Sequence, residues 1–435
     1  MLHDETVDAT GRAGAGGVAA MLAVLLCGVC VPAQGATGAP AAGSSLARAP
    51  GATTLAGTGV PGFSGDGRPA PDAQLDAPAG IAEDAAGDVF IADAGNCRVR
   101  EIPARTGTAF GRHLRAGVIT TLVGGPCGAA GTDPPPVALA LDPQGDLFIG
   151  FAAAAKVDVL AAHSTTAFGL RLTAGKLTVV AGTGVPGYGG DGGSAVKAAL
   201  DDPSGLAIDP EGDVLVADTA NCRLRLVAAS TGTRFGVSVV PGRIYTVAGD
   251  GFCGPYGDGG PARRAQLWDP GALAVNPAGD VLVADQGNRS IRLLAAATGN
   301  YYGVPLAADD LGTVAGEGSY GPYLADGLPA LSEIGELNFP TGVAVGANGD
   351  LYVADGDMHA IRVVPATQTT VRGLVAKPDD MYTVAGALSV GSLRNRTMWI
   401  QTTLRDPTGL ALAPDGQLVY SDTGADVVRE LPTGA

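Results

Sequence analysis

Residues 200–227 read LDDPSGLAIDPEGDVLVADTANCRLRLV. Three short runs of Val, Ile, Leu and Ala alternate here with Pro, Gly, Asp and Asn. Apolar runs of four to six residues between turn formers predict strands and tight turns. The first strand is expected at Gly205–Asp209, the second at Val214–Asp218 and the third at Arg223–Val227. Turns at Pro210–Asp213 and Thr219–Cys222 separate them. A longer hairpin, Ala228–Arg243, then leads to a fourth strand around TVAG (246–249).

The stretch recurs. LDAPAGIAEDAAGDVFIADAGNCRVREI (75–102), LWDPGALAVNPAGDVLVADQGNRSIRLL (267–294), LNFPTGVAVGANGDLYVADGDMHAIRVV (337–364) and LRDPTGLALAPDGQLVYSDTGADVVREL (404–431) are four more copies. PPVALALDPQGDLFIGFAAAAKVDVL (135–160) is an eroded sixth. The second strand ends on Asp93, Asp218, Asp285, Asp355 and Asp422, with Phe151 at that place in the eroded copy; the spacings are 58, 67, 67, 70 and 67. A fourth-strand motif follows or precedes each set: TLAG (54–57), TLVG (121–124), VVAG (179–182), TVAG (246–249), TVAG (313–316) and TVAG (383–386). A four-stranded unit repeated six times predicts an all-β, six-bladed β-propeller. The copies are out of phase with the chain ends. Six complete blades exist only if the N-terminal strand at 54–57 completes the C-terminal blade, a closure that removes exposed sheet edges.

Composition agrees with a turn-rich β fold. The 435 residues include 68 glycines and 30 prolines, well above ordinary usage. Yet 46% are hydrophobic, only 16% are charged and the mean hydropathy is +0.23, the opposite of a disordered chain. Glycine follows no three-residue period, which excludes collagen. The net charge of −16 makes the chain a poor partner for nucleic acid, whose phosphates are held by Lys and Arg. Anionic membrane surfaces are equally unsuitable.

The longest apolar run, Val18–Ala33, is short for a membrane span but fits the core of a signal peptide, with small residues for cleavage after Ala33 or Gly35. The expected organisation is a signal peptide at 1–35, a flexible linker at 36–51 and the propeller at 52–435. No membrane span is expected after leader removal, and the mature protein is expected to be a secreted monomer.

Two motifs carry a family resemblance: A-D-x-x-N-x-x-[IVL]-R at Ala92–Arg100, Ala217–Arg225 and Ala284–Arg292, and a G-D-G loop leading to A-x-L-x-x-P-x-G, as at Gly187–Gly205. Over about residues 52–431 the chain resembles the NHL-repeat propellers, in particular the long-bladed, secreted bacterial type. It departs from them in the eroded copy, in Met358 and Ala425 at the motif Asn position, and in the missing G-D-G loop before the second and sixth copies. The resemblance implies a fold, not an activity.

In an antiparallel blade the turn between strands two and three shares a face with the long connection to the next blade. On that face four cysteines form two pairs by repeat symmetry. Cys97 and Cys222 follow the motif Asn, while Cys127 and Cys253 follow a fourth strand, which predicts the disulfides Cys97–Cys127 and Cys222–Cys253 and an oxidising compartment. The motif residues Asp93, Asn96, Asp218, Asn221, Asp285, Asn288, Asp355 and Asp422 are assigned a structural turn and ion-pairing role together with the motif arginines. The G-D-G loops place Asp66, Asp191, Asp258 and Asp326 on the same face, where carboxylates beside glycine carbonyls can hold Ca²⁺. Trp268 and Phe339, assigned to equivalent positions just before a strand-opening proline, are expected near the central mouth. Arg394, Arg396 and Trp399 form a basic-aromatic patch in the irregular segment SLRNRTMWIQTT (392–403).

Histidines are few, and His113, His163 and His359 fall on opposite faces, too far apart for a shared metal. No G-x-S-x-G, P-loop or Cys–His nucleophile motif is present. The expectation is a secreted or cell-surface scaffold that binds a protein or small ligand without catalysis. The alternative is a metal-dependent lyase or lactonase-like hydrolase with its site in the central channel. Polar ligands at the axis would favour the enzyme; an apolar channel would favour the scaffold.

Overall fold

The computed structural model describes residues 52–127, 134–318, 326–332, 336–371, 374–386, 403–413 and 416–431. The chain separates into a unit of residues 1–48, outside the described residues, and a unit of residues 49–435. The second unit is the propeller.

The signature stretch forms strands Pro203–Ile208, Val214–Asp218 and Arg223–Val227, joined by Ile244–Ala248 in one antiparallel sheet in that order. The first strand starts two residues before Gly205, because Pro203 pairs with Asp218 across a register shift. The second strand is buried along its whole length. It lies mid-sheet with a neighbouring blade on each side, which explains an unbroken Val-Leu-Val-Ala run in place of alternation. Cys222 ends the turn at Thr219–Asn221 in the left-handed region, φ 51°. The same position is left-handed in every blade (Cys97, Ala155, Cys222, Arg289, His359 and Asp426) and is never glycine.

Five further sheets repeat this plan. Blade 1 comprises Pro78–Glu83, Val89–Asp93, Arg98–Ile102 and Thr120–Gly124; blade 2 comprises Ala138–Leu141, Leu147–Phe151, Lys156–Leu160 and Leu177–Ala181. The signature stretch is blade 3. Blade 4 is built on Pro270–Val275, Val281–Asp285, Ser290–Leu294 and Asp310–Ala315, and blade 5 on Pro340–Val345, Leu351–Asp355, Ala360–Val364 and Asp380–Gly386. Blades 4 and 5 each gain a two-residue edge strand, Gly260–Pro261 and Leu328–Pro329. Blade 6 joins Pro407–Leu412, Leu418–Asp422 and Val427–Leu431 to the N-terminal strand Thr53–Ala56, which pairs antiparallel with Val427–Leu431. The ring is therefore closed by chain ends more than 350 residues apart in sequence.

Blade-to-blade packing supplies the core. Leu224, Leu226 and Val247 of blade 3 meet Leu273, Val281 and Val283 of blade 4 in one apolar cluster. Burying such side chains contributes about 1.5–3 kcal/mol each. At the axis the six inner strands contact one another in a circuit. Glycine is required at Gly205 and Gly342, where a Cβ would strike the backbone oxygens of Gly271 and Thr408 in the next blade. At the closing seam, Ser421 Oγ donates to Ala79 O at 2.7 Å and Thr423 Oγ1 donates to Pro78 O at 2.6 Å. Among the described residues, no helix is long and apolar enough to cross a membrane.

Candidate functional site: the interblade-loop face and the channel

In blade 3 the motif residues converge on one buried clamp. Asp218 Oδ1 accepts the backbone N–H of Asp201 at 2.7 Å and Nδ2 of Asn221 at 2.8 Å, while Oδ2 accepts Arg225 Nη1 at 2.9 Å. Arg225 is fully buried; its Nη2 reaches Asp191 Oδ1 at 2.8 Å and Gly189 O at 3.1 Å. Asn221 also donates to Gly187 O at 2.9 Å. Residues 34 positions apart are thereby joined, and the interblade loop is stapled to the turn between strands two and three. Blade 1 repeats the clamp with Asp66, Arg100 and Asp93, and blade 4 with Asp258, Arg292 and Asp285. In blade 5 Arg362 lies 3.6 Å from Asp326, whose Oδ1 also accepts the Thr383 N–H and hydroxyl at 2.8 Å.

The electrostatics follow from burial. Desolvation raises Asp93 and Asp218, opposed by backbone N–H groups and the guanidinium. The same balance leaves Asp285 and Asp355 at about 6. In blade 6, which lacks a loop aspartate, Arg429 Nε donates to Asp422 Oδ2 at 2.8 Å and stays 20% exposed.

The loop aspartates Asp66, Asp191, Asp258 and Asp326 thus lie together with the clamps, 28–48% exposed, each facing a guanidinium. A Ca²⁺ ion at any of them would meet that positive charge at close range. Among the described residues, no three His, Cys, Asp or Glu side chains converge to hold a metal ion. The disulfides Cys97–Cys127 and Cys222–Cys253 are formed on this same face. Each ties the start of an interblade loop back to the turn of the blade it leaves.

Trp268 and Phe339 are both exposed here, at 47% and 39%, but their positions are not equivalent. Trp268 stands two residues before Pro270 and aligns with Asn338; Phe339 stands one residue before Pro340 and aligns with Asp269. Asp202, Asp269 and Asp406 occupy the latter position in left-handed conformation, which Phe339 does not adopt. Trp268 packs over Gly287, where any Cβ would enter the ring. Arg394, Arg396 and Trp399 lie outside the described residues.

Sequence reasoning passed over a second aromatic set. Phe63 and Tyr188 precede the loop aspartates by three residues, and Arg98 and Arg223 stack on them with guanidinium carbons 3.7 and 3.9 Å from the ring centroids. In the next loop Phe252 and Tyr256 are 72% and 74% exposed. The signal was present: Phe63 and Tyr188 share one place in otherwise glycine-rich loops, and the apolar Val60, Val185 and Phe252 share another three residues earlier.

The channel differs in chemistry from this face. A cavity of about 130 Å³ is walled by all six inner strands, with Gly80, Leu139, Leu206, Leu273, Val343 and Leu410 typical of its surface. Its polar side chains are the hydroxyls of Ser204, Thr341 and Thr408; Thr341 Oγ1 is taken up by Pro407 O at 2.6 Å. Asp, Glu and His are missing from the wall among the described residues. The opposite mouth is wider, about 690 Å³, and acidic, lined by Glu83, Asp84, Asp142 and Asp209. Burial and the nearby Asp213 push Asp209 up to about 7.

Comparison with known proteins agrees with this architecture. The NHL repeat model matches residues 200–225 and 337–364. A Bacteroides thetaiotaomicron structural genomics protein of unknown function is similar in structure, with TM-score 0.55 and 15% identity over 87% of this chain and 74% of that one. Two auxiliary nutrient binding proteins are also similar, each over 87% of this chain and 75% of theirs with TM-score 0.53. The one from Bacteroides thetaiotaomicron is 10% identical and the one from Bacteroides ovatus 12%. At these identities the likeness is one of fold. No curated protein matches the chain in sequence.

Proposed function

We propose that this chain, a six-bladed β-propeller with NHL repeats matched at residues 200–225 and 337–364, is an extracellular, non-catalytic scaffold binding a protein or small ligand on its interblade-loop face. The observation that carries this reading is the contrast between face and channel. The exposed aromatics Phe252, Tyr256, Trp268 and Phe339 stand on loops anchored by buried clamps and disulfides, so large contact groups are presented on a rigid frame. Rigid aromatic anchors concentrate binding energy at low entropic cost. The channel wall, by contrast, supplies aliphatic groups and hydroxyls, not the imidazole and carboxylate ligands that a metal-dependent lyase or hydrolase would place there. Two disulfides support residence in an oxidising compartment.

Photo-crosslinkers placed at Phe252 and Trp268, and on the opposite face at Glu211, test the proposal in the full chain. Ligand or partner crosslinks are expected from the first two. Crosslinks confined to Glu211, or metal-dependent lactone hydrolysis or elimination by the purified protein, would overturn it.

A further inference from the structure

Blades 3 and 4 differ at one position with large consequences. Arg223 opens the third strand of blade 3; the aligned residue in blade 4 is Ser290, 4% exposed. The Arg223 guanidinium donates to Asn221 O at 3.0 Å and to Asp250 O at 2.7 Å, lies against Gly251 and stacks on Tyr188. The aligned residues in blade 4 are Asn288, Glu317, Gly318 and Pro255. All four, with Ser290, line a cavity of about 400 Å³. Blade 4 thus has a cavity where blade 3 seats an arginine side chain.

Carboxylates stand at the cavity. Asp258 and Glu317 are part of its wall, with Arg292, which pairs with Asp258 and with Asp285 beneath it. The second arginine of the blade 4 turn, Arg289, takes the place of Cys222 and not that of Arg223. Pro255, at the place of the stacking Tyr188, gives the cavity an apolar wall.

We propose that this cavity is a guanidinium subsite that takes the arginine side chain of a polypeptide partner, reproducing in trans the carbonyl contacts that Arg223 makes in cis. A planar guanidinium can meet two backbone carbonyl acceptors and a carboxylate together, which a compact ammonium does not. The proposal deepens the binding-face reading and rests on it.

The full chain is titrated with N-acetyl-arginine methylamide, and with the lysine and citrulline counterparts, by ligand-observed saturation-transfer NMR. The arginine compound is expected to bind at millimolar concentration, with lysine at least tenfold weaker and citrulline, which has the shape without the charge, silent. Ser290→Arg restores the blade 3 residue and is expected to abolish binding without lowering Tm. Glu317→Gln, at an exposed position, is expected to weaken binding about tenfold. No arginine binding to the wild type, equal binding of citrulline, or binding unchanged in both variants would overturn the subsite. Such a failure, with crosslinks from Phe252 and Trp268 intact, would leave the binding-face reading standing.

Discussion

Blades 2 and 3 have the same four strands in the same order, and their second and third strands share one register: Lys156 opposes Phe151 as Arg223 opposes Asp218. Yet blade 2 has no clamp. Phe151 replaces the motif aspartate and is 2% exposed, packing with Leu139, Ile149 and Leu160. Asp158 replaces the motif arginine and pairs with Lys156 at 2.8 Å. Ala154 replaces the asparagine, and no G-D-G loop precedes the blade. All the polar members are missing from blade 2 at once, whereas blade 6 loses the asparagine and the loop aspartate and keeps the Asp422–Arg429 pair. Strand pairing and interblade packing therefore suffice to form a blade. The clamp serves the loop above it, and blade 2 is the blade that does without it.

The largest test lies at the boundary that blade 2 shares with blade 1. Glu101 occupies the place of Leu226 in blade 3, on the strand face of Val99, which packs against blade 2. It is fully buried, and burial with nearby Asp88 and Asp84, opposed by Arg112, pushes it up to about 8. The folded state then keeps a proton that the unfolded chain releases near 4.5. Stability is expected to fall as pH rises from about 4.5 to 8 and to level off above, by on the order of 5 kcal/mol in the limit. Denaturant midpoints across that range should show the slope, to which Asp209, Asp285 and Asp355 add with the same sign at lower pH, and Glu101→Gln should reduce it, most clearly between pH 7 and 8; an unchanged slope in the variant would assign it elsewhere.

Next in size is the clamp itself. Arg225→Met strands the buried Asp218 carboxylate and is expected to cost about 3–5 kcal/mol. Adding Asp218→Leu makes blade 3 apolar at both sites, as blade 2 is at Phe151, and should recover part of the loss. A double variant that loses the sum of the two single effects would break the parallel between the blades.

The disulfide comes third. Blade 3 closes a loop with Cys222–Cys253, separated by 31 residues, and blade 2 has no counterpart. Replacing both cysteines with serine is expected to cost roughly 3–4 kcal/mol through the entropy of the freed unfolded chain. A Tm unchanged in the variant would contradict this. The smallest effect is expected at Asn221→Ala, which copies Ala154 of blade 2. Losing the bonds to Asp218 and Gly187 should cost about 1 kcal/mol, read as faster amide exchange in the loop around Gly187 before any change in global unfolding.

Most of the fold was legible because it rests on local patterns repeated six times. Val214–Asp218 and its copies identify themselves by composition, and the phase of TLAG at 54–57 requires the closure seen between Thr53–Ala56 and Val427–Leu431. The cysteine pairs follow from the same symmetry. The site was less legible. Asp191 is recognisable as a loop residue, but its pairing with Arg225 depends on where a long loop returns in space. The misalignment of Trp268 with Phe339 arose because one aromatic and one proline look alike at either offset; backbone conformation separates them.

The amino-acid sequence by itself determined the blade count, the strand order, the ring closure and the two disulfides, since periodic apolar runs and paired cysteines act through short-range geometry. Only the tertiary structure decided that Arg100, Arg225 and Arg292 are buried between two carboxylates, that the channel is walled by aliphatic and hydroxyl groups, and that a cavity opens beside Ser290 and Glu317. Those outcomes depend on which groups from distant segments come within a few ångströms of one another, and burial and charge balance are properties of that neighbourhood rather than of any one residue.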